Sequence, residues 1–475
     1  MPPAIPPQSL MIAASIASLT LASCSGTPPL PNAMPPTPAA YRAPPTEDAQ
    51  AAPMPVDRRW WTIFADPVLN RLIDQAETRN DAIAIAVANL DRARALLRDV
   101  RAGQMPELGL SASAARGDGI GGRPIATQAG PNDLGQIGVD LSYEVDLFGR
   151  LRLRTRAAAL DTQSQAELLR DARLLVEAQI ASIYFALRAN DDEGAILDDT
   201  VESYRRTRSL IALQVGEGER NRQDLYRADG QLSDALGERA ALRRARAALV
   251  NAIAVLVGET ASTFELAPRT PLAAAPVVPA GLPSQMLQRR PDIAAALQAM
   301  FAAQARVGVA RAQWFPFLSL TANGGGASSD LGTVLANGAQ MWSIGAMLVA
   351  PLFDGGRRAA GVARARADLD RAFAQYRQTI LIGFQDIETR LSALQTLGQE
   401  RAERERAATA YARAFAIAQA QYRDGEAGQI ELLDAQRSEL AARRRITQII
   451  GAQHQETALL IRALGGSWAT YEPHS

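Results

Sequence analysis

The segment Gln136–Arg150, QIGVDLSYEVDLFGR, carries the two periodicities on which the chain is built. Ile137, Val139, Leu141, Tyr143, Val145 and Leu147 form an unbroken apolar set at period two. The alternate set, Gly138, Asp140, Ser142, Glu144 and Asp146, is polar and mostly acidic. Side chains alternate between the faces of a strand, so this pattern predicts one apolar face and one wet, charged face. At Gly149-Arg150 the period becomes helical and runs without a proline to about Leu213, roughly 64 residues or about 95 Å at 1.5 Å per residue. A membrane-type strand feeding directly into so long a helix is uncommon, and the rest of the chain repeats it.

Working outward, composition removes most chemistry. The 50 basic residues are all Arg and are balanced by 50 acidic ones, so nothing in the net charge draws the chain to nucleic acid. Without Lys there is neither a P-loop lysine nor a Schiff base. Two His (His454, His474) and one Cys (Cys24) give metal clusters, disulfides and Ser-His or Cys-His catalysis almost no material. The expectation is a protein that is not an enzyme and holds no cofactor. Beyond the amino terminus no run of about 20 consecutive apolar residues occurs, so any membrane insertion is expected through strands.

Residues 10–23, LMIAASIASLTLAS, are too short to span a bilayer but suit a signal-peptide core. Leu21-Ala22-Ser23-Cys24 resembles the bacterial lipobox, in which the cysteine thiol takes the lipid and becomes the first mature residue. Met1–Ser9 holds no Arg, a departure from such signals, and Ser25 resembles lipoproteins sent to the outer membrane. Pro28–Pro55 reads as an extended Pro/Ala tether. Trp60–Asn70 leads into a helix with Leu69, Leu72, Ile73 and Ala76 on one face, and an Ala-rich helix over about Asp81–Gln104 stops at Pro106.

Leu108, Leu110, Ala112 and Ala114 alternate with Gly and Ser in a first strand, and Gly117–Asp133 is a loop before the opening strand. That loop contains GDGIGG (Gly117, Gly119, Gly122), a formal dinucleotide fingerprint. No helix follows it, Pro124 and Pro131 do, and the flanking strands alternate, so it reads as a hairpin loop.

After a break at Gly216–Gly218, a helix to about Leu256 and a Pro-rich crossover, the pattern begins again. An Ala-rich helix from Arg289-Arg290-Pro291-Asp292 ends at Trp314-Phe315-Pro316. A strand with Leu318, Leu320 and Ala322, a Gly/Ser loop over Gly324–Gln340, and a strand with Trp342, Ile344, Ala346, Leu348 and Ala350 follow. A helix from Arg357 to about Tyr422, a break at Gly425–Gly428 and a final helix complete the second half. Asp81 pairs with Asp292, Pro106 with Pro316, Gly149-Arg150 with Gly356-Arg357, and Gly218 with Gly425, at offsets between 207 and 211. This is duplication, not a solenoid.

The organisation expected is a signal peptide (1–23), a lipid-anchored tether (24–58), a first repeat (59–263) with hairpin 106–148 and long helices 150–258, a crossover (264–286), a second repeat (287–466) with hairpin 316–353 and long helices 357–464, and a tail (467–475). Four strands of about 9–11 residues suit a tilted transmembrane strand but cannot close a barrel, whose known minimum is about eight. Open edges do not survive in lipid, so the barrel must be shared between chains, a dimer supplying about eight strands and a trimer about twelve. Asp140, Glu144 and Asp146 would then face an aqueous lumen. The long helices carry Leu369, Phe373, Tyr376, Ile380, Phe384, Ile387, Leu391 and Leu394 at helical spacing, a stripe that calls for helix partners.

WWTIFADPVLNRLI (60–73), SYEVDLFGRLR (142–152), QRRPDIAAALQAMFAAQARVGVARAQWFPFLSL (288–320) and QYRDGEAGQIELLDAQRSEL (421–440) resemble the TolC-type outer-membrane efflux proteins, specifically the OprM/NodT-like lipoprotein branch. The resemblance covers nearly the whole mature chain. It implies an α+β membrane protein in which three chains form a twelve-stranded barrel, four strands each, continued by a long periplasmic α-helical barrel. It implies as partners a periplasmic adaptor and an inner-membrane transporter, usually of the RND class, with small toxic molecules or drugs leaving through a passive duct.

The resemblance also places a periplasmic gate at Glu431 and Asp434, with Asp224 and Arg227 as first-repeat equivalents and Arg227 as a candidate latch. Gly218 and Gly425 would mark the tips that meet the adaptor. Two other readings stand beside it: the outer channel of a type I protein-secretion system, and a soluble coiled-coil scaffold without a pore.

Overall fold

In the computed structural model, residues 37–42, 59–117, 132–268, 271–279, 287, 289–328, 334 and 340–466 are described. The signal peptide with Cys24, most of the tether, Gly119 and Gly122 of the GDGIGG loop and the tail 467–475 lie outside them. The chain divides into two compact units, one holding Asn89–Ala166 and Ala295–Arg377, the other holding Glu167–Ala294 and the segment from Gln378 onward, with residues before Asn89.

The element order shows the duplication. Helices α1 (Pro67–Arg79) and α2 (Asp81–Ala102) precede strands β1 (Glu107–Gly117) and β2 (Asn132–Val145), then α3 (Arg150–Gly216) and α4 (Arg222–Leu256). The second half runs α5 (Pro291–Ala312), β3 (Phe317–Ser328), β4 (Gln340–Val349), α6 (Arg357–Arg423) and α7 (Gln429–Ala463). α2 and α5 both have 22 residues, α3 and α6 both 67, α4 and α7 both 35. Equal helix lengths at an offset of about 210 are what a duplicated unit produces and what independent helices would not.

In the first unit the four strands form one antiparallel sheet in the order β1-β2-β3-β4. The register aligns the apolar sets of all four strands. Leu108 lies opposite Leu141, Leu141 opposite Ala322 and Ala322 opposite Ile344; the next rank is Leu110, Val139, Gly324 and Trp342. The other face carries Gly109, Asp140, Asn323 and Ser343 in one rank, although Met341 and Met347 also fall on it. A one-residue slip of any strand would mix the faces, so the pattern itself specifies the register. The apolar face is uncovered: Leu110 is 76% exposed, Trp342 80% and Ile344 78%. A continuous apolar face of this size is foreign to a water-soluble surface.

The structure corrects the expected loop from Gly324. Gly324-Gly325-Gly326 belong to β3, which runs on to Ser328 and pairs with β2. At Gly325 a Cβ would lie 2.1 Å from the Ile137 carbonyl oxygen, so β2 and β3 approach more closely than a side chain permits. Gly325 in this strand reports close backbone approach instead of a turn.

One described helix, α5, has the length and composition of a membrane span, against the expectation that none does. Within the first unit Met300, Ala302, Ala305 and Val307 of α5 are buried, Arg306 pairs with Asp161, and Ser164 Oγ donates to the Ala295 carbonyl at 2.9 Å. It packs as a core helix, and its small residues allow that: a Cβ at Gly308 would lie 3.0 Å from Leu153.

The second unit is helical. Leu69, Leu72, Ile73 and Ala76, the predicted face of α1, are all buried there. Ile380, Ile387 and Leu391 of the α6 stripe are buried, with Phe384 and Leu394 partly so. Arginines bind the helices to one another. Arg444 of α7 pairs with Glu193 of α3 at 2.6 Å and with Glu238 of α4, and Arg390 of α6 with Glu456 of α7 at 2.9 Å. Buried Arg290 ends the Arg-Arg-Pro-Asp turn, bonding Asp292 at 2.6 Å and donating to the Ala463 carbonyl at 3.1 Å, where it caps the carboxyl end of α7.

Trp60 Nε1 donates to Glu177 at 2.7 Å, and burial pushes this carboxyl up to about 7 against the Trp60 bond, with Glu77 adding to the rise and Arg173 opposing it. A raised folded-state pKa means that the protonated acid is the stable form in the fold. Stability from this site is therefore full below about 4.5, the ordinary value, and falls as pH rises to about 7, by on the order of 3 kcal/mol. Glu177→Gln is expected to flatten that fall and to melt higher than wild type above pH 7, which scanning calorimetry across this range would check.

Candidate functional site

The resemblance directs attention to the two breaks between long helices, both in the second unit. α3 ends at Gly216 with Gly218 at φ +78°, and α6 ends at Arg423 with Gly425 at φ +77°. Glu219 N–H donates to the Gln214 carbonyl at 2.9 Å and Glu426 N–H to the Gln421 carbonyl at 2.8 Å. Both ends are Schellman stops, in which the left-handed residue is glycine because a Cβ there is strained.

The restarts differ. Asn221 Oδ1 accepts from Gln223 N–H at 3.1 Å to cap α4. Gly428 caps α7 without a side chain, and Glu431 reaches back to accept from Gly428 N–H at 2.6 Å. Glu431, one of the expected gate acids, is thus engaged in ordering the second break.

Asp224 stands at 4.0 Å from both Arg220 and Arg227, and Arg220 lies 5.1 Å over the ring of Tyr422, joining the two breaks. Asp434 meets Arg437 at 3.9 Å with both side chains well exposed, a contact of low worth. Arg227 and Asp234 of α4 face Ile430, Leu433, Asp434 and Arg437 of α7 across one open cleft. The cleft therefore holds two acids and two arginines in loose, solvent-reached arrangements, the condition under which partners exchange.

The structure brings Arg227 and Asp434 into the same cleft and leaves Glu431 at the helix start. Arg220, Asp234 and Arg437 escaped sequence reasoning. Arg437 was detectable as the residue three after Asp434, whereas the contact of Arg220 with Tyr422 joins distant parts of the chain.

Of the acids expected on the wet face of the sheet, Asp140 sits mid-strand in the polar rank. Arg150 Nη2 donates to both oxygens of Glu144, at 2.7 and 2.6 Å. Asp146 lies beyond the end of β2, and its carboxylate accepts from Leu151 N–H at 3.0 Å and Arg152 N–H at 2.9 Å. It stabilises the amino-terminal end of α3 instead of continuing the strand. Asp354 does the same for α6, bonding Arg358 Nε at 2.7 Å and the N–H groups of Gly356 and Arg358.

The family model for "Outer membrane efflux protein" matches residues 72–259 and 282–466, one match to each repeat. The chain is 31% identical over 442 residues to the solvent efflux pump outer membrane protein SrpC of Pseudomonas putida, covering 91% of this chain and 92% of that one. It is 30% identical to the outer membrane protein OprJ of Pseudomonas aeruginosa, covering 96% of each. The solved outer-membrane channel OprN superposes with a TM-score of 0.83 at 29% identity, over 94% of this chain and all of that one. An uncovered apolar sheet face, a duplicated strand-and-long-helix plan and a match to both halves agree: the chain belongs to the outer membrane efflux protein family.

Proposed function

We propose that three copies of this chain form the passive exit duct of a tripartite pump, anchored in the outer membrane through lipid on Cys24. The observation that carries this reading is the uncovered apolar face shared by four strands whose sheet ends in two edges, β1 and β4. Edge groups left unpaired in hydrocarbon cost several kcal/mol each, so each edge needs a strand from another chain. Three four-stranded sheets would close a barrel of about twelve strands, within the even-numbered range of such barrels. Asp140 then faces the lumen, with Glu144 and Asp146 at its inner rim beside the helices.

Below the sheet, the long helices continue the duct. The cleft of Arg227, Asp234, Asp434 and Arg437 forms the periplasmic gate, in which Arg227 shifts between Asp224 and Asp434 as helices move. Glu431 sets the angle at which α7 leaves its break. The glycine tips at Gly218 and Gly425 meet a periplasmic adaptor, and an inner-membrane transporter of the RND class supplies the energy. Small toxic molecules or drugs are the expected substrates; the cargo named for SrpC is solvent.

Single-channel recording in a planar bilayer tests the duct and the gate together. The wild type is expected to give a small cation-selective conductance, and Glu431→Ala/Asp434→Ala a larger or less selective one. An unchanged mutant would remove the acids from the gate, and correctly folded protein without conductance would remove the duct.

A further inference from the structure

We propose that the cavity where the two long helices begin binds amphiphilic organic anions in transit, an assignment that rests on the sheet lining a duct. The cavity holds about 360 Å³, within the range of small-molecule sites, and lies entirely in the first unit. Its floor is aromatic: Phe148 and Phe315 stack with ring centroids 4.8 Å apart, and Phe317 lines the same cavity. By register, Glu144 and Phe317 of the lining lie on the polar sheet face with Asp140 and Ser319, while Val145 at the strand's end belongs to the apolar set.

The wall carries three acids (Glu144, Asp146, Asp354) and three arginines (Arg150, Arg357, Arg358), but Arg152 from outside it takes Asp146 and leaves one arginine of the wall without an acid. Glu144 is held by Arg150, Asp146 by Arg152 and the first N–H groups of α3, and Asp354 by Arg358 and the first N–H groups of α6. Arg358 is committed further, lying 4.8 Å over the ring of Trp314. Arg357 lines the same cavity, is exposed, and has no carboxylate partner among the described residues. An aromatic floor beside one uncompensated guanidinium is complementary to a flat apolar body that carries a single negative charge. A cation of the same shape would meet Arg357 without compensation.

Two measurements on the purified full-length protein test this, with naphthalenesulfonate as probe and naphthylmethylammonium as its cationic counterpart. Equilibrium dialysis is expected to show naphthalenesulfonate bound in preference to the ammonium compound, and Arg357→Gln to weaken it about tenfold or more, the worth of one hydrogen bond to a charged group. Phe317→Ala is expected to weaken both probes. In planar bilayers the sulfonate should block wild-type current at concentrations that leave Arg357→Gln open. Equal binding by wild type and Arg357→Gln, or equal binding of the two probes, would overturn the site. Arg357-dependent binding in dialysis without any conductance would keep the site and remove the duct.

Discussion

Asp66→Ala is expected to destabilise the protein by about 3–5 kcal/mol, the cost of breaking a buried ion pair by removing one member. Asp66 does three things at once. As the N-cap of α1 its Oδ1 accepts from Val68 N–H at 2.9 Å and Leu69 N–H at 3.3 Å. Its Oδ2 accepts from Tyr184 Oη at 2.8 Å and from Arg188 Nη1 at 3.1 Å on α3. The side chains of Asp66 and Arg188 are nearly inaccessible. Removing the carboxylate breaks the buried ion pair with Arg188, releases the cap, and deprives the Tyr184 hydroxyl of its acceptor. The cap alone is worth about 1 kcal/mol, so an effect of that size would mean that water reaches Arg188. Thermal unfolding of the purified protein, compared with Asp66→Asn and Arg188→Met, would check this. Asparagine should keep most of the cap, and Arg188→Met, which breaks the same pair but keeps the cap, should lose less than Asp66→Ala by about 1 kcal/mol.

Gly325→Val should have a comparable effect by another route. A Cβ there would stand 2.1 Å from the Ile137 carbonyl oxygen and 2.6 Å from the Gly138 Cα, and both obstacles are backbone. No rotamer change relieves such a clash, so β2 and β3 must separate where the two halves of the sheet join. The expected result is loss of outer-membrane insertion and of heat-resistant oligomers on gels, with sensitivity to efflux substrates restored. Gly324→Ala is the control, since nothing lies within 4 Å of a Cβ at that position. If Gly325→Val inserts and resists heat like wild type, the close approach of β2 and β3 is wrong.

Much of this arrangement is written locally in the chain. The alternation of Ile137 to Leu147 against Gly138 to Asp146 sets the strand and its two faces, because a one-residue slip would put apolar side chains on the wet side. The buried face of α1 followed from the spacing of Leu69, Leu72, Ile73 and Ala76, since helical period alone brings those positions together. The duplication was visible in repeated Pro, Gly-Arg and Gly landmarks, and the stops at Gly218 and Gly425 in the residue type itself, because few others accept a positive φ.

What only the tertiary structure decided depends on residues far apart in the chain. Gly324-Gly325-Gly326 has the composition of a turn and lies in a strand, because the neighbouring backbone supplies its hydrogen bonds and, at Gly325, leaves no room for a side chain. Asp146 continues an alternating pattern yet caps a helix, since β2 ends one residue before it and free N–H groups wait beyond. Glu431, expected at the gate, also orders a break, because Gly428 has no side chain to cap its own helix. The pairing of Asp66 with Arg188 and the cavity beside Arg357 arise from segments more than a hundred residues apart, and no local spacing encodes which of many arginines meets which acid.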